Sequence, residues 1–329
     1  PSYFNSQINE HLISENKILF NTNVEKSLLH NRYNFIYLDY KADDNKPSLE
    51  KNIVNINSRN QGTGTINSLK FAAKNFDNNQ FLRNSKKNLR LLKEITDSDD
   101  VLLIGSGPNS KQLLEKDNTF SDVMVCNSVI KDSNFMKKYK PKYVVFGDPA
   151  WHSGPSKYVQ EFKKTLAQTI DEYNSTIITV ERDAHIIKEY MPENYHKNFI
   201  FISNVKTDTK SNLNYNFRKN FFVAGTNNIL TLLMLPVSFY LYKNIFFASF
   251  YGNPDKEKTY FWKHNPSLQF GNEFTSMEQT HPHIFDRGNM DYGFIYESHL
   301  DKLSQWFSDE NTKNHNLKNL TDSHMEPFI

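Results

Sequence analysis

The chain has 329 residues, 39 Lys and Arg against 37 Asp and Glu for a formal charge of +2, and 38% hydrophobic residues, enough for one large domain or two small ones. A balance this near neutral, with no long run of one sign, leaves no electrostatic footprint for nucleic acid or an anionic membrane, and the single Cys126 excludes an intrachain disulfide framework and a cysteine zinc site. The longest apolar stretch, residues 229–242, falls short of the roughly 20 a bilayer span needs, and the first thirty residues show no signal-peptide pattern, which predicts a soluble chain in a reducing compartment.

Residues 1–98 read as an irregular and helical N-terminal region. Short apolar patches stand at 17–20 and 35–40, an Asn-, Ser- and Gly-rich stretch at 45–64, and an amphipathic helix over 75–95 carries Phe81, Leu82, Leu89, Leu91, Leu92 and Ile95. Residues 101–105 (VLLIG) are a continuous apolar strand, followed at once by the turn SGPNS and a helix over 111–116. Further strands are predicted at 123–126, 143–146, 176–180, 199–203 and 244–251, with helices at 156–173, 184–190 and 294–309 and a buried helix over 225–242 disturbed by Pro236. Apolar strands separated by helices imply crossover connections. The fold class is therefore α/β: a Rossmann-like, mostly parallel sheet with helices on both faces over 99–310, with a small lid at about 252–290 and a flexible tail at 311–329.

Chemistry is expected beyond the carboxyl ends of the strands, where open α/β sheets bind ligands. The glycines of Gly105-Ser106-Gly107-Pro108 let a ligand approach the backbone, and the following helix N-terminus offers N–H groups to a phosphate. Ser110 replaces the third glycine of a dinucleotide fingerprint and Pro108 stiffens the turn, so a mononucleotide or nucleotide sugar fits better than NAD. The competing reading is a turn that is glycine-rich only to pack strand against helix. Asn127, ending the second strand, can pair with a ribose or base or else cap a turn; Asp148 can pair with a sugar hydroxyl or start an Asp-Pro turn. In a chain with 41 asparagines, a single Asn carries little meaning on its own. His152 reads first as an exposed loop histidine and otherwise as a contact to acceptor or donor. His281 and His283 in THPH suit proton transfer, since an imidazole titrates near neutrality. A paired-histidine metal site, with Asp286, Asp291 or His299 as further ligands, is the less favoured alternative, and no metal is expected.

The order VLLIGSGPNS, MVCN, PKYVVFGDPAW, VAGTNN and YKNIFFASFYGN resembles the core of the bacterial CMP-sialic acid-dependent sialyltransferases of lipooligosaccharide, and the related domain of flagellin nonulosonic acid glycosyltransferases, over about residues 101–303. The resemblance implies a GT-A-like nucleotide-binding domain that transfers a sialic acid-like sugar from a CMP donor to a glycan hydroxyl, inverting and metal-independent. It implies that Ser106, Gly107 and Asn127 hold the nucleotide, that Gly225 and Thr226 touch the donor's carboxylate or phosphate, and that Tyr251 and Tyr260 stand near the leaving phosphate. It assigns His283 as general base and His281 as phosphate partner, the reverse assignment and a role for neither staying open. The family's acidic residue two positions before the first tyrosine is Ser249 here. The implied setting is cytoplasmic or at the cytoplasmic face of the inner membrane, with a CMP-sugar donor, a glycan acceptor, no nucleic acid, no cofactor, and room for peripheral membrane association or a homo-oligomer. The rival readings are a Mg-dependent pyrophosphokinase-like enzyme on the same fold, using Asp148 and Asp255, and a non-catalytic glycan- or nucleotide-binding domain.

Overall fold

The computed structural model describes residues 35–39, 53–57, 79–115, 117, 119–154, 156–205, 213–253, 266–273, 275, 277 and 292–328. In the N-terminal region Phe35–Asp39 (β1) and Ile53–Asn57 (β2) pair in parallel as a two-stranded sheet. Asn79–Ile95 (α1) packs on a strand of the main sheet, where Phe81 meets Phe201 edge-on at 5.8 Å and the Ser85 hydroxyl accepts the Phe201 N–H at 2.8 Å.

The main sheet holds eight strands: Asp100–Ile104 (β3), Asp122–Cys126 (β4), Tyr143–Val145 (β5), Thr176–Val180 (β6), Phe199–Val205 (β7), Phe222–Ala224 (β8), Asn244–Ala248 (β9) and Asn316–Asn319 (β10). Their order is β10-β9-β3-β4-β5-β6-β7-β8, and every pairing is parallel. Val101 to Ile104 are wholly buried, as are all of β4 and β5, the pattern of strands covered on both faces. The covering helices are Lys111–Leu114 (α2), Ser133–Tyr139 (α3), Pro149–His152 (α4), Lys157–Tyr173 (α5), Ala184–Tyr190 (α6), Leu235–Leu241 (α7) and Tyr292–Ser308 (α8). Local chemistry sets their ends. Ser156 caps α5 by accepting the Val159 N–H, Asn174 ends it in the left-handed conformation, and Val159, Phe162, Leu166 and Ile170 form its buried stripe. Asp132 caps α3 through the N–H groups of Asn134 and Phe135.

Two expected elements take another form. The helix expected over 225–242 begins later: 222–224 become strand β8, Leu230–Met234 wind as a π-helix, and α7 follows with Pro236 in its first turn. Proline cannot donate to the carbonyl four residues back, and a wider turn immediately before it absorbs that loss. The expected flexible tail instead supplies the edge strand β10, in register with Asn244 to Phe247. Its NLKN sequence, with only Leu317 apolar, gives no strand signal because an edge strand needs little burial. Among the described residues no helix is long and apolar enough to cross a membrane.

From β3 the chain lays down β4 to β8 in one direction, then returns to place β9 on the other side of β3. The strand order therefore reverses between β3 and β9, and such a reversal opens a crevice at the carboxyl ends.

Candidate functional site

At that reversal the glycine turn leans on the exit of β9. The Gly105 N–H bonds the Ala248 carbonyl at 2.9 Å and the Gly107 N–H bonds the Ser249 carbonyl at 2.8 Å. A β-carbon on Gly105 would lie 2.6 Å from the Ser249 oxygen, and one on Gly107 would collide with the same atom. Gly107 has φ −62°, so close approach, and not a left-handed backbone, is what demands glycine there. The close approach expected of a ligand is thus made by the protein's own backbone, and these two N–H groups are already used. The expected helix beyond the turn is a single 3-10 turn, Pro108–Ser110, followed by the four residues of α2. That is too short for a developed helix dipole.

What the turn does present is side chain. Asn109 Oδ1 is buried without a hydrogen-bond partner, 3.1 Å from where a Gly107 β-carbon would stand. On the neighbouring strand Asn127 follows β4 with φ 48°, and its Oδ1 is likewise buried and partnerless; the side chain caps nothing. On the other side Ser249 follows β9 with φ 64°, is 1% exposed, and has a partnerless Oγ. Its N–H goes to the Thr321 hydroxyl at 2.8 Å and its carbonyl receives Gly107. Asn319, ending β10, adds a fourth partnerless oxygen. Such atoms occur elsewhere in the fold, on Thr179 and Asn198 for instance. Among the described residues, only here do they end or follow four adjacent strands, β10-β9-β3-β4, with two of them on non-glycine residues held at positive φ. A left-handed backbone costs Ser249 about 1 to 2 kcal/mol and Asn127 less, since asparagine visits that region routinely, and strain of the first kind gathers where a site dictates geometry.

Along the rest of the carboxyl edge the fit to expectation is uneven. Asp148 is exposed after β5. Its loop is fixed by Arg182, which follows β6: Nη2 donates to the Gly147 carbonyl at 2.8 Å while Nε pairs with buried Asp183 at 2.7 Å. Burial raises the Asp183 carboxyl and the guanidinium beside it pulls the other way. His152 is a correction. It is 3% exposed in α4, with ring contacts to Phe146 at 5.1 Å and Phe162 at 4.7 Å, and its Nδ1 lies 2.8 Å from the Asp148 carbonyl. Burial lowers its pKa to about 3, so it is neutral and structural.

Gly225 and Thr226 leave β8, five strands from β3 in the sheet order; at about 4.8 Å per strand that is roughly 24 Å from the reversal. The chain then doubles back, and Leu232, Ile229 and Leu233 all lie within 4 Å of where a Gly147 β-carbon would stand, beside Asp148. The Thr226 hydroxyl is engaged with the Asn228 carbonyl at 3.1 Å and the Thr231 hydroxyl at 3.0 Å. Tyr251 stands immediately beyond β9, half-buried. Tyr260, His281 and His283 lie outside the described residues, as does most of the expected lid. The described lid piece docks on the turn that carries Asn127: buried Gln269 takes hydrogen bonds from Ser128 at 3.0 Å and Tyr158 at 3.2 Å, and its carbonyl takes Lys131. His299 is buried in α8, its pKa lowered to about 4 by burial, and no group of three metal-ligating side chains occurs among the described residues.

The residues that sequence reasoning missed are Asn109, Ser249 and the segment 320–325. This segment follows β10 over the reversal: Ser323 donates to the Phe250 carbonyl at 2.8 Å, the His324 N–H to the Tyr251 carbonyl at 2.8 Å, and Asp322 receives both Asn109 and Gln112. No protein-family model, no curated protein and no solved structure matches this chain.

Proposed function

We propose that the chain is a glycosyltransferase that moves a nonulosonic or ulosonic acid from its CMP ester to a hydroxyl of a surface glycan, inverting at the anomeric carbon and without a metal. The observation that supports this reading is the set of buried, partnerless oxygens on Asn109, Asn127 and Ser249 around the strand reversal. Amide oxygens only accept hydrogen bonds, so the ligand they suit carries donors. A cytidine has them in its ribose hydroxyls and its exocyclic amino group, where uridine presents a carbonyl. In the reaction the C2–O bond to phosphate breaks and its electron pair leaves with CMP, while the acceptor oxygen bonds C2 and gives its proton to a base. His283 is the proposed base, with His281, Tyr251 and Tyr260 offsetting charge on the leaving phosphate. A glycan acceptor assembled at the cytoplasmic face of the inner membrane belongs to the same reading.

The test is thermal denaturation with CMP, UMP, GMP and AMP. A ligand at about 100 times its Kd adds roughly 2.7 kcal/mol, and CMP should give the largest shift. A larger shift with a purine nucleotide overturns the assignment. With a CMP-sugar and acceptor, His283→Ala should lower kcat by about 10² to 10⁴ with CMP binding kept, and EDTA should leave the wild-type rate unchanged.

A further inference from the structure

A CMP phosphate needs a partner that the glycine turn does not supply through Gly105 and Gly107, whose N–H groups are bonded to β9 and its exit. Four loops meet at the reversal: 105–110, 249–253 and 320–325 hold one basic side chain, His324, and the turn 127–131 holds Lys131, whose ammonium is engaged by the Gln269 carbonyl. The position of His324 is built with care. The backbone leading to it is pinned by Thr321 to the Ser249 N–H, by Asp322 to Asn109 and Gln112, and by Ser323 to the Phe250 carbonyl. The residue after it, Met325, is 3% exposed. The His324 ring itself is exposed, meeting the Tyr251 ring edge-on at 4.6 Å.

We propose that His324 contacts the nucleotide phosphate, its ring N–H donating to a phosphate oxygen beside the Tyr251 phenol. This rests on the reading of the crevice as a CMP-sugar pocket and adds to it a hydrogen-bonding wall contributed by the segment after β10. The pocket is then composite: base and ribose meet the Asn109, Asn127 and Ser249 oxygens, and the phosphate meets Tyr251 and His324. A ring N–H to a charged oxygen is stronger than a neutral hydrogen bond, so its loss is measurable in a binding assay.

Calorimetric titration of the full chain with CMP and with cytidine separates the phosphate contact from the rest. His324→Ala should weaken CMP by roughly 10- to 100-fold and leave cytidine unchanged, while His324→Gln, which keeps a donor, should recover part of the loss. Equal loss for both ligands, no loss for either, or a loss of CMP binding that follows Lys111→Ala in place of His324→Ala overturns the proposal. A wild-type chain that binds cytidine and CMP alike also overturns it. If wild type binds neither, the nucleotide reading itself falls and takes this contact with it.

Discussion

The two ends of the parallel sheet follow opposite rules. At the amino ends polar groups are paired, buried around Asp122 and more exposed toward the β10 edge. The Tyr242 hydroxyl bonds Asp122 Oδ2 at 2.6 Å and the Tyr143 hydroxyl at 2.8 Å, and Lys142 donates to the same carboxylate oxygen at 2.8 Å. One strand over, Asn316 donates to Asn244 and Asn244 to Asp100, each at 2.6 Å, joining the first residues of β10, β9 and β3. Burial pushes the Tyr242 and Tyr143 hydroxyls up, so both stay protonated donors. At the carboxyl ends of β10, β9, β3 and β4 one side-chain oxygen each on Asn319, Ser249, Asn109 and Asn127 is buried without a partner, and two backbones are held at positive φ. A satisfied network returns its desolvation cost as rigidity, whereas an unsatisfied one leaves that cost standing. The first end is frame, and the second is the proposed site.

Asp122→Ala strikes the frame and carries the largest expected effect. It leaves Tyr242 and Lys142 without their shared acceptor, and with them the Tyr143 hydroxyl bonded to Tyr242, and should cost about 3 to 5 kcal/mol in urea denaturation, with CMP affinity of the folded fraction unchanged. A loss of affinity with little loss of stability breaks the division between the two ends.

The acid response comes next, and it places His152 with the frame although it lies near the carboxyl edge. The folded ring stays neutral down to a pH of about 3, while in the unfolded chain it protonates near the ordinary 6.5. The unfolded state thus binds more protons between these values, and stability falls as pH drops through 6.5, by up to about 1.4 kcal/mol per unit. His299 adds to this slope down to about 4. In His152→Phe the slope between pH 6.5 and 5 should shrink by one proton; an unchanged slope contradicts its burial.

Gly107→Ala should destabilise the ligand-free protein by about 1 to 3 kcal/mol, because its β-carbon meets the Ser249 carbonyl. Full stability with abolished nucleotide binding would return the turn to the ligand. The smallest effect is the most diagnostic one. Ser249→Gly should gain up to about 1 kcal/mol by relieving φ 64°, yet bind CMP more weakly, since the buried Oγ is gone. Stability and affinity moving in the same direction would mean that Ser249 belongs to the frame.

The parallel sheet was legible in the sequence because its central strands are continuous apolar runs, and a fully buried strand must be one. The bounds of β6 and α6 agree residue for residue with the pattern, and those of β3 and β4 to within one. Strand β10 was illegible for the converse reason, since its NLKN edge buries little, whereas the three apolar residues of β8 run on into the stretch expected as a helix. At the site, the sequence marks GSGPNS and Asn127 as lying beyond strand ends, since a glycine turn after an apolar run has a fixed place in such folds. It does not tell a glycine kept for a ligand from one kept for a neighbouring carbonyl, because that neighbour, Ser249, is 142 positions away in the chain.

Composition and apolar patterning alone thus determined the class of fold and singled out the end of the sheet where a site is proposed, because burial and crossover chemistry act on local runs of residues. Only the tertiary structure decided which side chains meet there. Strand order set β9 against β3, the segment after β10 carried His324 to Tyr251, and the paths of Asn127 and Ser249 fixed their backbones at positive φ. Contacts of that range are set by the closure of the whole sheet, which no local run of residues encodes.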